Sequence, residues 1–246
     1  MKAIIYAAGI SSRMEDFVSD GLKGLYKIED KFLIEYQLEW LKDYMIDEVV
    51  IVLGLEHQRY IDILGMSYKN IPIRYAYNPD YKTKGNMLSL WYAREFCNDD
   101  IIFTTSDLLC NRQDIDVFMS SENENKILVD RMNKELFNID DPVKVQIDNE
   151  NIIRIRKKLS EIDHVDGISI GIYKFSKDLM EILLEEIELK ISNGQDDLSL
   201  YYPIDEVLKR KKVNPVYTKN SKWLDIDTPY ELGLAQDYIR RGVIKV

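Results

Sequence analysis

The chain reads as an α/β protein: a mostly parallel central sheet flanked by helices, with an antiparallel β insertion in its second half. Three observations predict this. Short apolar runs rich in β-branched residues alternate with segments of helical period through the first half. The middle then offers several strands joined by turns, with no helix between them. The close returns to a strand that runs straight into a helix.

The elements follow in order. Ala3–Ala7, Glu48–Gly54, Ile71–Tyr77 and Asp100–Thr105 are nearly continuous apolar runs, as suits strands buried on both faces of a parallel sheet. Between them, Ile34–Tyr44, His57–Leu64 and Asn86–Phe96 carry apolar residues at helical spacing, so the order is a doubly wound one. Lys126–Asp130, Val143–Asp148, Ile152–Arg156 and Ile168–Phe175 read as hairpin strands, with Asp148, Asn149, Glu150 and Asn151 marking one turn. Helices are expected over Lys177–Ser192 and Leu200–Lys211, then a strand over Val213–Thr218. SKWLDIDTPYELGLAQDYIRR closes the chain as strand and helix. There is no internal repeat or linker. We expect one domain over 1–246, with a first half 1–110, a middle part 111–220 and a closing part 221–246.

Composition narrows the class. At 246 residues, 46% hydrophobic and 31% charged, the chain can bury a proper core. The net charge of −10 argues against a nucleic-acid binder. No apolar stretch approaches a membrane span, and no signal peptide is expected at the N-terminus. Cys97 and Cys110 make neither a metal nor a redox spacing. A cytoplasmic protein with reduced thiols is the expectation.

Four stretches carry candidate chemistry. In AAGISSR, the small residues Ala7, Ala8 and Gly9 let a backbone approach a ligand. Ser11 and Ser12 can donate, and Arg13 offers a planar fork for phosphate oxygens. A tight turn with a surface arginine would look the same, and neither the dinucleotide fingerprint nor the Walker A loop is present. Lys23 belongs on the same edge of the sheet. Asp107 ends the run DIIFTTSDL at a strand's carboxyl end, where open α/β sheets bind ligands; it also suits a turn or a helix cap. In WLDIDTP, strand alternation puts Asp225 and Asp227 on one face, although Asp227 could simply cap the helix that Thr228 and Pro229 open. Asp107 with Asp227, and Asp225 beside them, fits Mg²⁺, which takes one or two carboxylates plus substrate phosphates.

Together these residues resemble the nucleotidyltransferases that activate sugar phosphates and alcohol phosphates, over essentially the whole chain. NPDYKTKGNMLSLWYAREF and PVKVQIDNENIIRIRKKLSEIDHVDGISIGIYKFS resemble the branch of small CTP-dependent cytidylyltransferases that act on alcohol phosphates and phosphonates. The resemblance implies a Rossmann-like sheet with the antiparallel insertion over the acceptor. It implies that Ala7, Ala8, Gly9, Ser11, Ser12, Arg13, Lys23, Asn86, Ser89 and Ser106 serve the nucleotide, with Arg13 and Lys23 on its phosphates and catalytic. Asp107, Asp227 and Asp225 would serve Mg²⁺, and Lys144, Lys158, Ser169 and Gly171 the acceptor. Ser11, Leu22 and Ser106 stand where glycine, proline and glycine are usual. Ile168 stands where a glutamate often appears, which bears on the acceptor more than on the reaction.

The implied reaction joins an acceptor phosphate to the α-phosphorus of CTP. An acceptor with a second pKa of about 6 is largely ionised at neutral pH, so no protein base is needed. His57 and His164 lie beside no motif. Tyr81 and Trp91 are placed near the base and acceptor sites, though core packing explains them as well. A sugar-1-phosphate nucleotidyltransferase using UTP, dTTP or GTP shares every motif at the phosphates. A glycosyltransferase would want a D-x-D that TTSDLL lacks, and a non-catalytic nucleotide sensor would not need the whole set. The apolar end GVIKV suits either a homodimer contact or a docked terminus.

Overall fold

The computed structural model describes residues 1–9, 22–54, 56–138, 140–219 and 222–246. In chain order the strands and helices are β1 (Lys2–Ala7), β2 (Lys27–Ile28), β3 (Lys31–Phe32), α1 (Leu33–Leu41), β4 (Glu48–Leu53), α2 (His57–Leu64), β5 (Ser67–Tyr68), β6 (Ile71–Tyr77), α3 (Met87–Tyr92) and β7 (Ile101–Thr105). There follow β8 (Leu108–Cys110), α4 (Arg112–Ser120), β9 (Lys126–Asp130), β10 (Lys144–Asp148), β11 (Asn151–Arg156), β12 (Gly167–Phe175), α5 (Lys177–Ser192) and α6 (Tyr201–Leu208). β13 (Asn214–Tyr217), β14 (Trp223–Asp225) and α7 (Pro229–Arg240) close the chain.

The main sheet runs β11-β10-β12-β7-β1-β4-β6-β5, with β9 joined to β12 and β13 to β9. β1 pairs in parallel with β4 and β7, and β4 with β6. From β7 outward the pairing turns antiparallel, through β12, β10 and β11. This is the mixed α/β fold with an antiparallel second half that the apolar runs predict. Successive strands β1, β4 and β6 march one way, and β7 then returns to the other side of β1. That reversal opens a crevice at the carboxyl ends of β1 and β7, the place where sheets of this kind bind ligands.

Alternation along the central strands builds a core on each face. Ala3, Ile5 and Ala7 of β1 pack with α1, α2 and α4. Ile4 faces the other way with Phe103, Met87, Leu183 and Ile204 from β7, α3, α5 and α6. A smaller cluster joins α7 to β2 and the start of α1, and Ile244 is buried in it. Arg112 N also donates to the Lys245 carbonyl at 2.7 Å. The GVIKV end therefore docks on its own chain.

Two differences from the expected elements have clear causes. The helix expected over Asn86–Phe96 stops at Tyr92, because Ala93 leaves the helical region and a 3₁₀ turn, Arg94–Phe96, follows before β7. Helix α4 was not expected, since only its Asp114, Ile115 and Phe118 are buried and its sequence reads as polar. Among the described residues no helix is long and apolar enough to cross a membrane.

Candidate functional site

A cavity of about 620 Å³ opens at the crevice between β1 and β7, within the range of small-molecule sites. Its floor is Tyr6, Phe103 and Thr105 from the strand ends, and one wall carries Lys23, Asp107, Asp225, Asp227 and Glu231. Asn133, Leu136, Asp141, Pro142, Val143 and Lys157 line the cavity too, as do Ser169, Gly171 and Tyr173 of β12.

The charged wall is assembled from three distant parts of the chain. The carbonyl of Leu108, next to Asp107, accepts from the Nε2 of Gln37, a buried residue of α1. β8 then pairs with β14 so that Leu108 lies opposite Asp225, and Ile226 N donates to the Asp107 carbonyl at 3.0 Å. Ile226 is buried while the residues on either side of it face the cavity. The α7 helix is capped by Thr228 and Glu231, not by Asp227: Glu231 N donates to Thr228 Oγ1, while Glu231 Oε2 accepts from the amides of Asp227 and Thr228 at 2.7 and 2.8 Å. Asp227 keeps its side chain for the cavity.

Lys23 joins them. It begins a 3₁₀ turn, Lys23–Leu25, and its Nζ lies 3.0 Å from Asp107 Oδ2 and against Asp227 Oδ1. Burial works against this ammonium, but the carboxylates of Asp107 and Asp227 outweigh it and hold the lysine's pKa above its ordinary value. The turn is packed tightly from behind: a Cβ on Gly24 would come 2.9 Å from Tyr60 Oη and 3.2 Å from Ser106 Cβ. Asp225 goes the other way. Crowding by the surrounding protein groups, and then the charges of Asp107 and Asp227, push its carboxyl upward, although the residue is exposed and water moderates the shift.

Among the described residues Lys23 is thus the ammonium that meets Asp107 and Asp227, and Asp225 adds a third carboxyl beside them, shifted toward its neutral form. Among the described residues no three His, Cys, Asp or Glu side chains form a ready-made metal site. Two hard oxygen donors on one wall, completed by substrate phosphates, nevertheless suit a divalent ion of the Mg²⁺ type.

On the β12 side, the strand is bulged between Ser169 and Tyr173, and Gly171 sits at φ +87° within the bulge. Tyr173 stacks on Phe103 at 4.8 Å, and Ser169 Oγ lies 3.0 Å from its hydroxyl. Lys157 and Asp141 meet at 2.8 Å with both side chains substantially exposed. Trp223 donates its indole N–H to Asp130 Oδ2 at 2.8 Å, and Asp130 Oδ1 accepts from the amides of Met132 and Asn133.

A family model described as the MobA-like NTP transferase domain matches residues 3–139. The chain belongs to that family. A "Bifunctional IPC transferase and DIPP synthase" of Thermococcus kodakarensis is 25% identical over 250 residues, covering 99% of this chain and 52% of the relative. The chain therefore spans about half the length of that protein. A "CTP:phosphoglutamine cytidylyltransferase" of Campylobacter jejuni is 25% identical over 202 residues, 77% of this chain and 78% of the relative. The solved CTP:phosphocholine cytidylyltransferase of Streptococcus pneumoniae superposes with a TM-score of 0.78 at 20% identity, covering 97% and 98% of the two chains. It shares the fold.

Within this NTP-transferase frame the sequence-predicted residues separate into groups. Lys23, Asp107, Asp225 and Asp227 come together, and Asn86, Ser169 and Gly171 line the same cavity. Ala7 and Ala8 are buried, and Gly9 is exposed with open space where a Cβ would stand. Ser11, Ser12 and Arg13 lie outside the described residues. Asn86 already accepts from Leu200 N at 2.8 Å, and Gly85 meets the same loop so closely that a Cβ would lie 1.8 Å from the Leu198 carbonyl. Ser89 is buried on Asn78, and Ser106 N donates to the Tyr6 carbonyl; neither side chain lines the cavity.

Two acceptor assignments are corrected. Lys144 is fully buried and its Nζ donates to two backbone carbonyls, so it has no face on the cavity. Lys158 is 64% exposed and points toward Glu161, while its neighbour Lys157 lines the wall. Tyr173 and Trp223 also line the cavity. Continuing the period-two pattern from Ser169 and Gly171, or from Asp227 and Asp225, would have found both. His57 packs at a tilt against Tyr77, His164 pairs with Asp166 at 3.1 Å, and Tyr81 packs on Gly54. None of these three lines the cavity, nor does Trp91, which lies under Arg94.

Proposed function

We propose that this chain transfers CMP from CTP to a small alcohol phosphate or phosphonate and releases pyrophosphate. The observation that carries the reading is the Lys23–Asp107–Asp227 cluster at the carboxyl ends of the strands, set at one side of a cavity with room for a second substrate. CTP is favoured because the relatives that align over most of this chain include a CTP-named cytidylyltransferase.

In the reaction, an oxygen of the acceptor phosphate forms a bond to the α-phosphorus of CTP while the bond from that phosphorus to the bridging oxygen breaks. The acceptor brings its own negative charge, so no side chain has to remove a proton. Asp107 and Asp227, with Asp225 beside them, would hold Mg²⁺, which when bound supplies positive charge against the phosphates. Lys23 offsets the charge that grows on pyrophosphate, and Arg13 is proposed to share that task. Lys157, the other cation on the cavity wall among the described residues, meets the acceptor phosphate; its partner Asp141 holds it there until substrate arrives. Tyr173 and Ser169 supply hydroxyls to the acceptor's remaining atoms. We propose further that the chain acts as one domain, 1–246, because the two halves share this cavity.

The test is pyrophosphate release with Mg²⁺, crossing CTP, UTP, GTP, ATP and dTTP with alcohol phosphates, phosphonates and sugar 1-phosphates. Turnover with CTP and an alcohol phosphate or phosphonate supports the reading. Turnover confined to sugar 1-phosphates with UTP, dTTP or GTP moves the chain to the neighbouring branch. Nucleotide binding without turnover on any acceptor would favour a sensor.

A further inference from the structure

Lys144 is a fully buried lysine with no face on the cavity, yet it touches the cavity wall from behind. It opens β10, opposite Arg156 at the end of β11, and the ladder between the two strands stops at that pair. Its Nζ continues the join beyond the ladder, donating to the Pro142 carbonyl at 2.9 Å and the Lys157 carbonyl at 2.6 Å. Pro142 and Lys157 both line the cavity, and the side chains of Lys157 and Asp141 meet at 2.8 Å just beyond them. A methionine has similar length and would be buried at less cost, but it could not bridge two carbonyls.

We propose that Lys144 is a positioning residue: its ammonium clasps Pro142 to Lys157 and so holds the Asp141–Lys157 pair against the acceptor. This rests on the reading that Lys157 meets the acceptor phosphate. The clasp makes no contact with substrate, so its loss acts through Lys157 and on the acceptor, not on the nucleotide.

The experiment compares the full-length wild type, Lys144→Met, Lys157→Met and the double variant. With an acceptor identified, Lys144→Met should raise the acceptor KM about tenfold or more while the KM for CTP stays within twofold. The double variant should be no worse than Lys157→Met alone, because the clasp has nothing left to position. An unchanged acceptor KM in Lys144→Met, or a double variant whose loss is the product of the two single losses, overturns the proposal. If Lys144→Met does not fold, Lys144→Gln, which cannot reach both carbonyls, carries the same comparison.

A second readout does not depend on turnover. Lysines are reductively methylated with ¹³C and the Lys157 signal is assigned with Lys157→Arg. In the Lys144 variant that signal should move to the position it takes in Asp141→Asn, where the pair is broken. A signal that stays in its wild-type position overturns the clasp. Should the wild type transfer nothing to any acceptor, the functional reading fails, and this signal still decides on Lys144.

Discussion

Replacing Lys23 with methionine tests the centre of the proposed site. The ammonium stands 3.0 Å from Asp107 and against Asp227, with its own side chain only 16% exposed. At an effective dielectric of about 20, a pair at that distance attracts by roughly 5–6 kcal/mol, but removing the charges from water returns most of it. A net contribution of about 1–3 kcal/mol is reasonable for charged hydrogen bonds of this kind. Lys23→Met should therefore melt several degrees below wild type at pH 7, since each kcal/mol is worth about 2–4 °C in a chain of this size. Added Mg²⁺ should recover more of the loss in the variant than it adds to the wild type, because a divalent ion can replace the charge that Lys23 placed between Asp107 and Asp227. The sign with pH follows from the lysine's raised pKa. Its stabilisation is complete below the unfolded lysine's pKa and fades as pH rises through the folded value, so the gap between the two proteins is flat at neutral pH and closes only in strong alkali. Turnover, measured as pyrophosphate release, should fall by two orders of magnitude or more. Wild-type turnover at an unchanged melting temperature would refute the reasoning.

Other expectations are more local. Asp227→Asn should raise the Mg²⁺ concentration needed for half-maximal turnover while leaving the α7 cap intact, since Glu231 and Thr228 make that cap; a Mg²⁺ titration of activity checks it. Gly24→Ala should cost about 1–3 kcal/mol by overpacking and lower turnover by shifting Lys23, and Tyr60→Phe, which removes one of the atoms the new methyl meets, should recover part of both in denaturation and rate assays. Lys126 is buried with its Nζ on the Ser121 carbonyl, and burial lowers its pKa to about 8. The unfolded chain binds the proton more tightly, so this group makes stability rise with pH from about 8 to the ordinary lysine value of 10.5, and Lys126→Met should remove that slope from urea titrations run across the range.

Much of this arrangement can be read before any coordinates, because strand alternation and strand ends are local properties. Asp107 follows a buried run, and Asp225 and Asp227 straddle a buried isoleucine, so their direction was legible. That they meet Lys23 was not: the partners lie 84 and 204 residues away from it in sequence, the β8–β14 ladder joins the aspartates, and a separate 3₁₀ turn brings the lysine. The lysine pair after β11 shows a different limit. Strand residues one apart point to opposite faces, so choosing Lys158 over Lys157 required knowing where the strand stops. Lys144 failed for a third reason, since a lysine in an antiparallel insertion looks the same whether its ammonium meets a substrate or two carbonyls. Asn86 lines the cavity, yet its side-chain oxygen is engaged by the backbone of a loop 114 residues on, which no local pattern contains.

The β8–β14 ladder also sets an order of events during synthesis. Chains grow from the N-terminus and fold as they emerge, and β1, β4, β6 and β7 can assemble while β14 is still being made. Throughout that interval Lys23 and Asp107 are present without Asp227, and the charged side of the cavity is unfinished. A nascent chain, or one truncated before Trp223, would thus keep most of its sheet and yet be chemically silent. On the proposed function, it is the strand and helix from Trp223 to Arg240 that turn a folded sheet into a complete site.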